Sequence, residues 1–477
     1  MDWGLALWLG EMALQFTFVG FLLAKRSRQT SSTNLTWIVI ILAIPILGAL
    51  IYLMLGEVRL GRWRLKRYSD LVQRIRSSPG FYPKEGRYPD LKPGHQSLSE
   101  LVTSVGESEP RGGNSLKLYP VSDQLIDSLT EDIEGAAHHC HLLFYIFLAD
   151  GSGRRVCEAL ERAAGRGVAC RLLVDAVGSA PFLDSELRRS LEKSGVQVAA
   201  ALPASLFRAN VERMDLRNHR KLAVIDGRVG YTGSQNIADA AFSPKPRFAP
   251  WVDLSVRIEG PVVHDLQNLF VEDWYVDTQE ALEDLLELEC PMIADGVPAQ
   301  IMGTGPMSYH EALRQFTQAA FHNARKELIL TTPYFVPDEA TFAALCTAAR
   351  RGVHAQVVVP ARNDSPLVGP ASRSFYEEML DCGVEIHEFT EGLLHAKTLT
   401  VDRDLALVST ANFDRRSFEL NFEVSTLVYD TNFARQLRFL QRTYIERSRR
   451  IQADRWRRRR WPLRVAQNAA GIFSALL

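Results

Sequence analysis

Two stretches of the sequence carry the same reactive residue types at the same spacing. The first, NHRKLAVIDGRVGYTGSQN, starts at Asn218, and the second, LHAKTLTVDRDLALVSTANFDRRS, starts at Leu394. Each contains H-x-K-x-x-x-x-D: His219, Lys221 and Asp226 in one, His395, Lys397 and Asp402 in the other. Each also places an asparagine equally far behind its histidine, since 236 − 219 = 17 and 412 − 395 = 17. One chance match of this kind in a chain of 477 residues has odds of roughly a few per cent, and two in register far less. The plain alternative, two amphipathic strands with polar outer faces, does not account for the shared spacing.

Residues two apart on a strand point the same way, so His219 and Lys221 share a face, as do His395 and Lys397. If the two stretches meet, one cleft holds two imidazoles, two ammonium groups and the amides of Asn236 and Asn412. Ser234 and Thr410, each two residues before its asparagine, join them as candidate phosphate ligands. This set suits an anionic phosphoester. Lysines and asparagines would neutralise and orient the non-bridging oxygens. One neutral histidine would attack phosphorus while the other, protonated, donates to the leaving alkoxide from the opposite side. In a second step the acid becomes a base for an incoming hydroxyl. An in-line displacement therefore needs both copies, and it needs no carboxylate cluster holding a metal. Asp226 and Asp402 lie seven residues after their histidines and face away by strand alternation, which gives them a supporting role at the turns. A proton-poised histidine also wants a carboxylate partner. Asp253, in WVDLSVRIEGP, and Glu423, in NFEVSTLVYD, are the candidates for orienting the two imidazoles.

The elements around these stretches alternate strand and helix from about residue 110 onward. CHLLFYIFLAD and ACRLLVDAVGS read as strands, each followed by a helix that ends near Gly167 or Gly195. KELILTTPYFVP and AQVVVPARND repeat the order, with helices ending near Gly352 and Gly383. The offsets agree, since 352 − 167 = 185 and 383 − 195 = 188, which indicates an internal duplication. The expected fold is α/β: two pseudo-symmetric α/β/α domains, each with a mostly parallel sheet and helices on its faces. Residues 111–285 form the first domain and 286–446 the second, with a seam in the acidic and then Pro/Gly-containing stretch 277–298.

Net charge is −1, so the molecule as a whole is not a polyelectrolyte. Six cysteines without C-x-x-C spacing argue against a zinc ribbon and a disulfide scaffold. The HHCH cluster at 138–141 is too tightly packed for usual metal-ligand spacing. Residues 36–55 carry no charge and 3–24 carry one, Glu11, so 1–56 reads as a hairpin of two transmembrane helices. Lys25, Arg26 and Arg28 lie between these segments, and Arg59, Arg62, Arg64, Lys66 and Arg67 follow them. The heavier flank favours a cytoplasmic catalytic bulk. The connector 57–110 matches no interpretable motif. The tail 447–477 opens on a run of nine arginines flanking Trp456 and Trp461, read as an interfacial segment on anionic lipid in preference to nucleic acid.

These residues resemble those of the phospholipase D superfamily, whose signature is the doubled HKD motif. With DLRNHRKLAVIDG, TPYFVP, LLHAKTLTVD and NFDRRSFELNFE in order behind an apolar N-terminus, most of the chain is similar to the bacterial cardiolipin synthases. The resemblance implies transfer of a phosphatidyl group from one phosphatidylglycerol to another, giving cardiolipin and glycerol. It implies a phosphatidyl-histidine intermediate on His219, with His395 as acid and base, and counts Lys221, Asp226, Lys397 and Asp402 in the catalytic motif. No metal, nucleotide or other cofactor is implied. The implied partners are phosphatidylglycerol and anionic membrane lipids, not nucleic acid. The implied place is the bacterial inner membrane, multi-pass, with cytoplasmic catalytic domains. The rivals are a membrane phospholipase D using water and a phosphatidyltransferase using serine or another alcohol. A lipid-binding scaffold with a dead site is disfavoured by the intact motifs, and a membrane-anchored nuclease would hardly need two spans. One departure from symmetry stands out: Ser409 and Thr410 occupy the positions of Gly233 and Ser234.

Overall fold

The computed structural model describes residues 3–24, 31–56, 60–77, 89–106, 108–203, 213, 215–288, 290–307 and 311–472. Lys25, Arg26, Arg28 and Arg59, and residues 78–88 of the connector, lie outside the described residues.

Among the described residues, fifteen strands form one continuous mixed sheet. From its centre, Arg111–Tyr119 pairs with Ser255–Glu259, followed outward by Val229–Gly233, Lys221–Ile225, His139–Phe144, Ala169–Asp175 and Gln197–Ala201. On its other side Arg111–Tyr119 pairs with Val297–Thr304, followed by Glu423–Val428, Leu405–Ser409, Thr398–Val401, Glu327–Thr331, His354–Pro360, Glu385–Phe389 and Ser448–Arg450. The two wings thus carry corresponding strands in the same order.

The sheet is not mostly parallel, contrary to expectation. The strand–helix–strand units give parallel pairs, such as His139–Phe144 with Ala169–Asp175 and Glu327–Thr331 with His354–Pro360. The motif strands instead form antiparallel hairpins, Lys221–Ile225 with Val229–Gly233 and Thr398–Val401 with Leu405–Ser409. The cause is the turn after each motif strand. Asp226 and Gly227 in one, and Asp402 and Arg403 in the other, have positive φ, the geometry of a tight hairpin turn. The four predicted helix closures do occur at left-handed glycines, Gly167, Gly195, Gly352 and Gly383.

Alternate residues of each strand enter different cores. Leu222 and Val224 pack with Val263, Leu266 and Phe270 of the helix Val263–Thr278, and the same core holds Ile329 and Val408 of the second wing with Phe433 and Leu437 of the helix Thr431–Glu446. Ala223 and Ile225 face the other way, onto Leu129 and Leu160. Leu328 and Leu330 pack on Phe316 and Leu345 in a third core. One core is therefore common to both wings, which fixes one motif strand relative to the other.

The N-terminus differs from the expected pair of spans. Among the described residues no helix is long and apolar enough to cross a membrane. The uncharged stretch 36–55 breaks at Pro45 into α2 (Ser31–Ala43) and α3 (Pro45–Leu55), because proline removes a donor and clashes with the preceding turn. These two and α1 (Trp3–Ala24) pack through Leu22, Trp37, Ile41 and Tyr52, leaving Leu35, Val39, Ile46 and Leu50 exposed. Arg415 binds the Thr33 hydroxyl and so ties α2 to the catalytic body.

The connector supplies two helices. In α4 (Arg62–Ser77), Arg64 forms a buried ion pair with Asp277 at 2.5 Å. In α5 (Pro93–Gly106), Leu98 and Val102 enter the second-wing core, and His95 bonds Asp404.

Part of the arginine run is tied back onto the second wing. Ser448–Arg450 is the edge strand of the sheet. Arg449 pairs with Glu388, Arg450 with Glu385, Arg457 with Asp381 and Arg459 with Glu377, and Trp456 packs on Tyr376.

Candidate active site

The histidines sit just ahead of the motif strands and not within them, and the backbone explains why they meet. The His219 N–H donates to the Phe422 carbonyl at 3.0 Å, and the His395 N–H to the Val252 carbonyl at 2.8 Å. Each histidine is thus stitched to the opposite wing, at the residue preceding a carboxylate. His219 Nδ1 lies 2.9 and 3.0 Å from the Glu423 oxygens, and His395 Nδ1 lies 2.6 Å from Asp253 Oδ1. The pairing is crosswise: each imidazole takes its carboxylate from the other half.

A carboxylate accepts, so each Nδ1 carries the proton and each Nε2 presents a lone pair. The carboxylates are held in turn. Thr410 donates to Glu423 Oε2 at 2.5 Å and Ser234 to Asp253 Oδ1 at 2.6 Å. The same hydroxyls accept from the Val424 and Leu254 amides. This corrects the assignment of Ser234 and Thr410 to phosphate: a hydroxyl has one proton to donate, and here it is committed.

Lys221 and Lys397 are buried, and each Nζ donates to its own histidine's carbonyl at 2.7 Å. Asn236 accepts the Ile146 N–H through Oδ1 at 3.0 Å, which leaves its amide N–H groups to the cleft. The Asn412 side chain has no hydrogen-bond partner among the described residues, and its Oδ1 is buried.

Burial dominates the electrostatics. It pulls His219 down to about 4, against Glu423, and it lowers His395, with the Lys397 charge helping. It brings Lys221 down to about 8 and Lys397 to about 7. Burial would raise the carboxylates, but His395 and Lys397 outweigh it and hold Asp253 at about 2, while His219 and Lys221 likewise keep Glu423 low. At neutral pH the site has neutral imidazoles, ionised carboxylates and at least one ammonium. A phosphodiester adds negative charge, which favours protonation of Lys397 and His395.

Asp226 and Asp402 lie outside this constellation. Asp226 accepts the N–H groups of Ala137, His138 and His139 at 2.8, 2.8 and 2.9 Å. Asp402 accepts those of Arg325, Lys326 and Glu327 at 2.8, 2.7 and 3.0 Å. Each locks a hairpin turn to the start of the neighbouring strand. Asp226→Ala and Asp402→Ala are therefore expected to cost roughly 1–3 kcal/mol of stability each, with kcat/KM of the folded enzyme within about twofold of the parent. Thermal unfolding beside kinetics checks this; an unchanged Tm with lost activity would put the aspartates in the chemistry.

The HHCH cluster is occupied structurally. His139 and His141 both bond Gln267, and His141 stacks on Phe270 at 4.4 Å. Sequence reasoning missed two aromatic neighbours: Tyr145, 4.7 Å from the His219 ring, and Trp251, 4.6 Å from the His395 ring. Trp251 was within reach as the residue two before Asp253. Tyr145 was hidden in an apolar strand run. Arg220 was also missed; it is buried, bonds Asp273 at 2.7 Å and donates to the Glu423 carbonyl.

The family described as "Cardiolipin synthase, PLD-like domain" matches residues 129–274 and 318–440. The phospholipase D-nuclease N-terminal family matches residues 14–57. Cardiolipin synthase A of Pectobacterium atrosepticum is 37% identical over 466 residues, covering 94% of both chains. Cardiolipin synthase A of Erwinia tasmaniensis is 37% identical over 469 residues, again covering 94% of both. Among solved structures, a phosphatidylserine synthase of Haemophilus influenzae shares the fold, with a TM-score of 0.61 at 14% identity, over 82% of this chain and 100% of that one.

Proposed function

The chain belongs to the PLD-like cardiolipin synthases, and we propose that it moves a phosphatidyl group between two phosphatidylglycerols through the paired histidines. The observation that carries the chemistry is the crosswise pairing, His219 with Glu423 and His395 with Asp253. It gives two imidazoles from opposite wings, each with Nε2 available to one phosphorus.

In the first step the His219 Nε2 lone pair attacks phosphorus. The bond from phosphorus to the glycerol oxygen breaks, and His395 Nε2–H supplies that oxygen's proton. In the second step neutral His395 takes the proton of an acceptor hydroxyl. The new P–O bond forms as the P–N bond to His219 breaks. One phosphodiester replaces another, so no external energy source is needed. Lys221, Lys397, Asn236 and Asn412 hold the non-bridging oxygens. The two wings, 111–285 and 286–446, act as one duplicated unit about a pseudo-two-fold axis between the histidines. The apolar side chains exposed on α1, α2 and α3 hold the enzyme at the bacterial inner membrane, with the catalytic wings on the cytoplasmic side.

The product decides the reading. Purified enzyme with headgroup-labelled phosphatidylglycerol is expected to release glycerol and form cardiolipin in equal amounts. Phosphatidic acid as the main product would make the enzyme a hydrolase, and preferential transfer to added serine would make it a different phosphatidyltransferase.

The lysines predict an alkaline limb. Their ammonium forms attract phosphate and are lost as pH rises through about 7 and about 8. Because kcat/KM reports the free enzyme, it is expected to fall above that range. A profile flat through the alkaline range would contradict the assigned role of the lysines.

A further inference from the structure

The C-terminal helix Trp461–Ile472 is inside out for a surface helix. Gln467 and Ala470 are buried, and Ala470 packs against Val336, Val368 and Ala371, the last two on the helix Val368–Ser374. At 100° per residue the opposite side carries Trp461, Pro462, Val465, Asn468, Ala469 and Ile472. Trp461, Val465 and Ile472 are 75%, 55% and 70% exposed. A solvent-facing side is ordinarily polar, and this one is apolar except for Asn468. Just before it stand Arg455, Arg458 and Arg460, all exposed and without a carboxylate partner among the described residues, although the neighbouring Arg457 and Arg459 are paired. The run is thus split into arginines that fold the tail back and arginines left facing out.

From this geometry we infer that the outward face of the helix Trp461–Ile472 is a docking surface for an anionic lipid bilayer. The apolar side chains enter the acyl boundary, and Arg455, Arg458 and Arg460 meet acidic headgroups. Charge selects this occupant over a second copy of the chain, because the same surface on a copy brings the same arginines. The supporting helix Val368–Ser374 follows Asp364, which accepts from Tyr334, pairs with Lys245 and lies within electrostatic reach of His395. Docking therefore brings the His395 side of the cleft to the lipid surface, independently of α1–α3.

All six native cysteines are buried, so an exposed engineered cysteine takes a label selectively. Full-length Val465→Cys protein carrying an environment-sensitive fluorophore is mixed with vesicles of phosphatidylcholine alone or of phosphatidylcholine and phosphatidylglycerol in equal parts. The expected result is a blue shift, and quenching by spin-labelled lipid, with the acidic vesicles. A label at Glu186→Cys, on the distant helix Glu186–Lys193, is expected to show neither. An unshifted label at position 465 overturns the inference. So does a label shielded before lipid is added together with a doubled mass, which gives the face to a second copy. This readout needs no turnover, so its failure is separate from failure of the phosphatidyl-transfer reading. In kinetics, Val465→Glu is expected to raise KM for vesicular phosphatidylglycerol about tenfold at unchanged kcat, and to leave KM for a short-chain monomeric analogue unaltered.

Discussion

Alanine at His219 or at His395 is expected to lower phosphatidyl transfer by about 10⁴-fold or more, with Tm within a few degrees of the parent. Loss of a proton-transfer group alone costs about 10²–10⁴-fold, and loss of the attacking atom adds to this because no other route to the covalent step remains. The two variants should fail differently. His219→Ala has no nucleophile and releases no glycerol. His395→Ala retains the nucleophile but must expel an unprotonated alkoxide and then activate an acceptor without a base. The double variant is expected to be no worse than the poorer single one, since the histidines act as a unit. Rates from labelled phosphatidylglycerol in mixed micelles measure all three. Full activity in either single variant would end the two-histidine account.

The second large effect concerns the carboxylates. Glu423→Gln is expected to reduce kcat by about 10²–10⁴-fold, and Asp253→Asn by a similar factor. Glu423 accepts from His219 Nδ1–H and is itself held by Thr410. An amide in its place can donate to Nδ1, which shifts the proton to Nε2 and removes the attacking lone pair. Asn at position 253 acts at a different moment. It leaves His395 without the negative charge that stabilises its imidazolium, so less of it is protonated and ready to act as the acid in the first step. Both carboxylates have pKa values lowered in the folded protein. Their contribution to stability is therefore present above the ordinary carboxylate range and lost as pH falls through the folded values. The variants should flatten that acid loss of stability as well as slow the reaction. An effect below about tenfold on kcat would reduce the crosswise pairs to structural ties.

The repeated motif was legible because it lives in linear spacing, and both histidines could be named without any fold. The carboxylates could be named as candidates, but not their partners. Which one meets which imidazole depends on two backbone hydrogen bonds between wings, from His219 to Phe422 and from His395 to Val252, and no local pattern encodes these. The antiparallel course of the motif strands was written in the sequence and overlooked: Asp226–Gly227 is a hairpin signal, and Asp402–Arg403 takes the same positive φ without a glycine to announce it. Hydropathy marked the N-terminus as apolar but could not show that Pro45 divides the second stretch into helices of 13 and 11 residues. Arginine density suggested lipid contact for the whole tail. The structure returns much of that charge to Glu377, Asp381, Glu385 and Glu388. The connector gave no reading because α4 and α5 are amphipathic in the ordinary way, and their partners lie far off in the sequence.

The covalent intermediate is the most direct test of the central claim. Full-length enzyme is mixed with phosphatidylglycerol labelled at phosphorus, then quenched within a single turnover in mildly alkaline denaturant, where a phosphoramidate survives. Peptide mass spectrometry then locates the label. The account predicts one phosphatidyl group on the peptide containing His219, lost as unlabelled phosphatidylglycerol is added and recovered as cardiolipin. Label on the His395 peptide, or full turnover with no labelled histidine at any time, would contradict it.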